Sequence, residues 1–186
     1  MKTLSEKEKM LAGELYNPLD PELIAGRQRA RQFLREFNSS LQIDDERHQQ
    51  SLTELLGALG EKSMIQAPFF CDYGSNIYLG ERVYFNYNCV VLDVAVVEIG
   101  SHSMFEPNVQ IYTATHPLDY QERASGLEYG KRITIGEHVW VGGSAIIGPG
   151  ISIGDRSVIG AGSVVVKDIP AGVFAAGNPC RVIRAL

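Results

Sequence analysis

The sequence predicts a parallel β-helix preceded by a short helical segment. Three observations predict it: a six-residue period in the aliphatic residues, a glycine that follows that period, and a start that lacks it. Stepping by six from Ile135 meets Val141, Ile147, Ile153, Ile159, Val165 and Ala171. The next residue in each step is Gly136, Gly142, Gly148, Gly154, Gly160, Val166 and Gly172. Four places after each start stand Val139, Ala145, Ile151, Ser157, Ser163, Ile169 and Ala175, all small or apolar. Two earlier runs follow the rule, Ile99-Gly100 with Phe105 and Ile111, and Leu79-Gly80 with Phe85 and Val91. Six is the period of neither a helix nor a simple strand. It suits a chain that turns a corner after every short strand, three strands and about 18 residues per coil, with coils stacked about 4.8 Å apart. The branched residue points inward, and the glycine allows corner dihedrals that a side chain would obstruct. A glycine-rich β-sandwich, the competing class, would alternate with period two.

The elements follow in order. Ser5 and Glu8 form a capping box that starts a helix running to about Tyr16, ahead of Asn17-Pro18. Asp20-Pro21 supplies an N-cap and a first-turn proline for a second helix, which sets Leu23, Ala30, Leu34 and Phe37 on one face. A third helix, from Asp45 to Leu59, presents Leu52, Leu55, Leu56 and Leu59 before Gly60 stops it. Helices this short need the solenoid or a neighbouring subunit to pack on, and covering the open first coil removes unpaired backbone. Residues 1–60 therefore read as a helical segment and 61–186 as the β-helix. The early runs are out of phase by two residues, which implies an insertion near Val94 to Val97. Residues 117–130 abandon the period and are polar, so they form an ejected loop, and such loops tend to carry function.

Composition bounds the classes. A chain of 186 residues, 45% hydrophobic and 21% charged, builds one domain with a real core. No stretch offers the roughly 18 apolar residues of a membrane span, and the start turns charged where a signal peptide would turn apolar. A net charge of −5 argues against a nucleic-acid backbone as partner, and Arg27, Arg29, Arg31 and Arg35 read as a solvated helix face. Three scattered cysteines, Cys71, Cys89 and Cys180, suggest reduced thiols in a cytoplasm. Neither a phosphate-binding GxxxxGK[ST] loop nor a strand-helix GxGxxG is present.

Of four histidines, His48 falls on a helix among polar neighbours and reads as exposed. His102 and His138 each stand three places after an inward aliphatic, so both should face outward. His116 differs, because it is the last residue before the ejected loop and Pro117 fixes the chain directly after it. It reads equally as a cleft residue with a function and as a structural junction. Zinc shared between subunits is the competing use of these histidines. Their wide spacing lacks the tight local pattern of most zinc sites, so no metal is expected.

Four segments carry a resemblance: Cys71-Asp-Tyr-Gly-Ser-Asn-Ile-Tyr-Leu-Gly80, Ile111-Tyr-Thr-Ala-Thr-His-Pro117, Val139-Trp-Val-Gly-Gly143 and Gly177-Asn-Pro-Cys-Arg-Val-Ile-Arg184. With the helical start Met10-Leu-Ala-Gly-Glu-Leu-Tyr16, the chain resembles the sugar O-acetyltransferases of the hexapeptide-repeat acyltransferases, the maltose and galactoside enzymes among them. The resemblance implies a left-handed β-helix and a homotrimer with active sites between subunits. It also implies acetyl transfer from acetyl-CoA to a sugar hydroxyl without a metal. His116 matches the catalytic histidine. An alcohol is a poor nucleophile at neutral pH, so a base must take its proton as it attacks the thioester. No cysteine occupies a nucleophile position, so transfer is read as direct. The resemblance places Asp72, Asn86, Asp93 and Glu128 on the sugar side. It places Trp140 along the pantetheine arm and an oxyanion-stabilising N–H at Gly143. Ala161 and Val166 match main-chain contacts in the pantetheine groove, and Lys167, Arg181 and Arg184 match contacts to the coenzyme phosphates.

Each assignment has a plainer reading. Asn86 could stack in an asparagine ladder, Asp93 could cap the insertion, Trp140 could pack between coils, and the three cations could be solvated. Gly143, Val166 and Thr115 agree with the maltose branch. The galactoside enzymes carry serine and threonine where this chain has Gly143 and Val166. An aspartate near the family's first helix has no certain match, since Asn17 or Pro18 holds its place. Maltose or glucose is therefore the expected acceptor. A galactoside, an amine acceptor, a metal-dependent hydratase on the same solenoid, and an inert scaffold are the alternatives.

Overall fold

A computed structural model describes residues 3–39 and 46–186, and within 46–48 the backbone only. The start expected for the third helix at Asp45, and the side chain of His48, lie outside the described residues.

Three parallel sheets form the faces of a solenoid. The first holds Ala58–Leu59, Ile77–Leu79, Val97–Ile99, Ile133–Ile135 and Ser152–Ile153. The second holds Met64–Ile65, Tyr84–Phe85, Met104–Phe105, Trp140–Val141, Val158–Ile159 and Val173–Ala176, closed by Arg181–Ala185 running antiparallel. The third holds Phe69–Cys71, Cys89–Leu92, Gln110–Tyr112, Ile146–Ile147 and Val164–Val165. The chain visits the faces in rotation, which is the parallel β-helix that the six-residue period predicts.

The register is less uniform than a repeat of 18. Ala58 pairs with Tyr78 and Tyr78 with Glu98, a step of 20, whereas Thr134 pairs with Ser152, a step of 18. The two extra residues lie between Val91 and Ile99, where the insertion near Val94 to Val97 was expected, and the same excess recurs one coil earlier between Cys71 and Leu79. The last turn shortens instead, because Ile153 bridges to Ile169, a step of 16. Ala171, expected inside, is consequently exposed, and Ile169 takes the inward place at 4% exposure. All the other inward positions from Leu79 to Val165 are buried.

Except for Gly172, whose φ of +67° bears out the dihedral reading, the repeat glycines act through space rather than dihedral freedom. None of Gly136, Gly142, Gly148, Gly154 and Gly160 has a positive φ. A Cβ on Gly142 would lie 2.6 Å from the Ala161 nitrogen, and one on Gly100 2.6 Å from the Glu137 nitrogen. Coils 4.8 Å apart leave no room for it. Left-handed φ falls on the exposed turn column Lys62, Arg82, His102, His138 and Arg156, and at a second corner on Asn88, Asn108 and Ser144. His102 and His138 are exposed in that column, with their rings stacked at 4.7 Å.

Helix α1 spans Glu6–Ala12 and α2 spans Pro21–Ser39. Helix α3 spans Glu46–Leu55. The Ser5 capping box is present, but α1 stops at Ala12, short of Tyr16, because Gly13 turns left-handed at φ 74°. Leu23, Ala30, Leu34 and Phe37 are the buried face of α2. Helix α3 ends before Leu59, which is already a strand of the first coil. Gly60 is thus a solenoid glycine, not a helix stop, and the boundary expected at 60/61 falls within the first coil. Leu34, Phe37, Leu52, Leu55 and Leu56 continue the solenoid core past its first coil. At that open end Asn38 satisfies both backbone groups of Phe69, donating from Nδ2 to its carbonyl and accepting its N–H, each at 2.9 Å.

Candidate active site

The ejected loop leaves the third face and returns as an antiparallel ribbon, Ala114–Thr115 against Tyr129–Gly130, with a short helix α4 (Tyr120–Arg123) at its tip. The expected bare loop of 117–130 therefore has structure of its own. Thr115 pairs with Tyr129, so the residues just beyond, His116 and Glu128, face each other where the ribbon opens. Their side chains approach to 3.8 Å between Nε2 and Oε2, with the His116 side chain 52% exposed and that of Glu128 18%. The other Glu128 oxygen accepts the Tyr16 hydroxyl at 2.5 Å, while Tyr16 and Glu128 exchange backbone hydrogen bonds. Burial and this bond both push the Tyr16 phenol far above its ordinary value, so it stays a donor.

A cavity of about 380 Å³ opens beside this pair, lined by Asp72, Arg27, Arg31, Pro18 and Val94. Arg27 donates to the Tyr73 hydroxyl at 2.6 Å and to the Pro18 carbonyl at 2.5 Å. That tie corrects the expectation of a solvated face for Arg27, while Arg31 is exposed as expected and borders the cavity. Burial raises the Asp72 carboxyl above its usual range and the charge of Glu128 adds to this, against Arg27 and Arg31.

Asp93 does not join the cavity. It is fully buried, and its Oδ1 accepts the N–H groups of Asp72 at 3.0 Å and Tyr73 at 2.9 Å while Oδ2 accepts that of Asn76 at 3.3 Å. The expectation that it binds sugar hydroxyls is overturned, because the side chain is fully buried, lies outside the cavity lining and is turned to the backbone of the corner that carries Asp72. Burial pushes its pKa up to about 7, with Asp72 adding to the rise and the backbone donors opposing it. Val94, the next residue, reaches the cavity instead.

Asn86, Trp140, Gly143 and Ala161 stand on a different wall, at or beside the corner between the second and third faces. Trp140 is 45% exposed and donates from Nε1 to Glu106 Oε1 at 3.3 Å. Asn86 donates from Nδ2 to Glu106 Oε2 at 3.4 Å and accepts the Tyr87 N–H at 2.8 Å. Gly143 stacks between coils, with its carbonyl accepting the Gly162 N–H at 2.9 Å. Its own N–H has no partner among the described residues. Val166 and Lys167 are exposed near the end of the solenoid, as are Arg181 and Arg184 on the closing strand, where Arg184 lies over the Phe174 ring. One chain thus unites His116, Glu128 and Asp72 but leaves Asn86, Trp140 and Gly143 outside that cavity's lining.

The sequence reading missed Tyr16 and Glu106. Tyr16 ends a stretch expected to be helix, so nothing local pointed to a strand-like bridge 112 residues away. Glu106 occupies a corner position with no periodic signal of its own. No group of three or more His, Cys, Asp or Glu side chains able to share a metal ion occurs among the described residues. No helix among them is long and apolar enough to cross a membrane.

Comparison with known proteins agrees with this architecture at both ends of the chain. Residues 9–60 match the maltose acetyltransferase hexapeptide capping motif, and residues 132–167 match the bacterial transferase hexapeptide with its six repeats. Nodulation protein L of Rhizobium leguminosarum bv. viciae is 54% identical over 180 residues, covering 97% of this chain and 95% of its own length. A maltose O-acetyltransferase from Clostridium difficile 630 superposes with a TM-score of 0.97 at 49% identity, over 100% of this chain and 99% of its own. A hexapeptide-repeat acetyltransferase from Vibrio cholerae, solved with acetyl coenzyme A, superposes with a TM-score of 0.92 at 41% identity, over 98% and 99%.

Proposed function

Because the chain belongs to the hexapeptide-repeat acetyltransferases that carry the maltose acetyltransferase capping motif, we propose that it moves the acetyl group of acetyl-CoA directly to a hydroxyl of a sugar such as maltose or glucose, with His116 as general base. The observation that carries this reading is the pairing of His116 with Glu128 at the mouth of a polar cavity, 3.8 Å apart. The imidazole takes the proton of the sugar hydroxyl as its oxygen bonds to the thioester carbon. The imidazolium so formed meets the Glu128 carboxylate, which Tyr16 holds in place. The tetrahedral intermediate carries its negative charge on the former carbonyl oxygen, and the free N–H of Gly143 is the donor that receives it. One such donor is worth on the order of 3 kcal/mol. Collapse breaks the carbon–sulfur bond, and the departing thiolate takes the proton back from His116.

Asp72 and Arg31 supply an acceptor and a donor for sugar hydroxyls, and Glu128 does so on its open side. Asn86 lines the sugar side from the opposite wall. Trp140 lies along the pantetheine arm, Ala161 and Val166 flank it, and Lys167, Arg181 and Arg184 take the phosphates. Two walls on one chain that do not meet favour a site shared between copies, and a homotrimer supplies it. Three cysteines without disulfides fit a cytoplasmic setting.

The test is acetyl-CoA-dependent thiol release with glucose, maltose and a galactoside, in wild type and His116→Ala. Sugar-stimulated release that drops by at least about 10²-fold in the variant is expected. Unchanged release in the variant would mean another base and sink the mechanism. Preference for the galactoside would move the acceptor to that branch.

A further inference from the structure

Glu106 stands on the wall that carries Asn86 and Trp140, and its two oxygens are divided between them. It follows the inward Phe105 and opens the corner between the second and third faces, one coil from both partners. Asn86 sits a coil before it, and the strand Trp140–Val141 a coil after it. Asn86 has no freedom to turn, since its Oδ1 accepts the Tyr87 N–H at 2.8 Å. Its Nδ2 therefore faces Glu106, and only its remaining N–H is left for a ligand. The indole of Trp140 is 45% exposed and has one polar atom, which Glu106 accepts. A Cβ on Gly143 would lie 3.8 Å from the Glu106 Cβ, so the same side chain borders the oxyanion donor.

We infer that Glu106 is a positioning residue that ties the acceptor side of this wall to the coenzyme side, orienting the Asn86 amide and the Trp140 indole together. The inference rests on the proposed function for the ligands that Asn86 and Trp140 meet. Its mechanism is orientation alone. With Glu106 in place, both partners are held in one geometry before either ligand arrives, so neither ligand has to order its own contact. Both hydrogen bonds are long and partly solvated, so the effect on each ligand is modest and separable.

The chain has a single tryptophan, which makes Trp140 its own reporter. Emission is recorded with and without coenzyme A, and KM for acetyl-CoA and for the sugar is measured, in wild type, Glu106→Gln and Glu106→Ala. Glu106→Ala is expected to shift the emission before any ligand is added and to raise both KM values by about threefold to tenfold, with kcat nearly kept. Glu106→Gln keeps one acceptor oxygen in nearly the same volume, and is expected to raise one KM and spare the other. In a Trp140→Phe background, Glu106→Ala should change the sugar KM alone. Unaltered emission and KM values in both variants would overturn the inference. So would an acetyl-CoA KM that Glu106→Ala still raises when the indole is gone, because a general disturbance of the cleft would then be the cause. Emission and coenzyme affinity are read without turnover. A failure of His116→Ala to abolish transfer would thus count against the proposed reaction and not against Glu106.

Discussion

At the scale of single residues, Tyr16 and Asp93 show opposite uses of burial. Tyr16 is fully enclosed yet spends its hydroxyl on Glu128, the carboxylate that faces His116. Tyr16→Phe keeps the ring and removes only that bond. It is expected to lower kcat about threefold to tenfold while the acetyl-CoA KM stays near the wild-type value. In the His116→Ala background the same change should have almost no further effect, and a full additional loss there would show that Tyr16 acts through something other than the histidine. Asp93 spends its charge on the chain itself. Its folded pKa, raised to about 7 by burial, lies above the unfolded carboxylate value of about 3.9. The folded state therefore holds the proton more tightly, and the stabilisation is fully present below about pH 3.9 and is lost as pH rises from there through about 7. Thermal midpoints between pH 5 and 8 should fall with pH in wild type and change less in Asp93→Asn. Equal slopes in the two proteins would remove Asp93 as the cause. Asp93 also marks a limit of reading residues by resemblance: an acidic side chain beside the cavity looks like a ligand until its acceptors are counted. His116 was singled out by the loop boundary and by the family pattern, and Asp72 by the family pattern alone, whereas Tyr16 reaches Glu128 only through tertiary structure.

At the scale of elements, periodicity was readable and termini were not. The buried face of α2 and the inward column of the solenoid follow from spacing alone, since 3.6 and six are properties of regular geometry. Helix ends depend on one local turn, and Gly13 stops α1 four residues before the expected end at Tyr16. The two-residue excess of the early coils was visible as a phase shift, but whether it occurred once or in every early coil required the register itself. The glycines illustrate a right residue with a wrong cause. Gly142 and Gly148 hold equivalent places in the repeat, yet a Cβ meets the Ala161 nitrogen at 2.6 Å at the first and only the Val165 carbonyl at 3.2 Å at the second. Gly142→Ala must displace backbone and is expected to cost about 3 kcal/mol, the upper part of the overpacking range. Gly148→Ala is expected to cost under about 1 kcal/mol, because a shift of a few tenths of an ångström relieves it. Thermal midpoints at equal protein concentration check this pair. A similar loss at both positions would mean that the approach of the next coil's backbone is not what sets the cost.

At the scale of the whole molecule, the three faces differ in what they show to the outside. The first carries Tyr78, Glu98, Thr134 and Ser152 outward, with Glu98 paired to Arg132. The second shows Met104 and Trp140, 47% and 45% exposed, in line with Tyr84, Val158 and Phe174. The third shows Phe70, 47% exposed, above Val90, then Gln110, with Ile146 and Val164 further along the column, so it is apolar but for one amide. Two apolar faces beside one polar face suit a closed ring of copies, in which each chain offers unlike surfaces to its two neighbours and the polar face stays wet. The same geometry would bring the His116 wall of one copy toward the Trp140 wall of the next. Light scattering is then expected to give about three times the chain mass of 20.5 kDa. Ile146→Glu places a charge in the apolar column of the third face, so it should reduce the mass toward one chain and abolish sugar acetylation together. Thr134→Lys, an outward change on the polar face, should alter neither. Full acetylation by an Ile146→Glu protein that runs as a single chain would mean that the two walls meet within one copy, and the shared site would have to be abandoned.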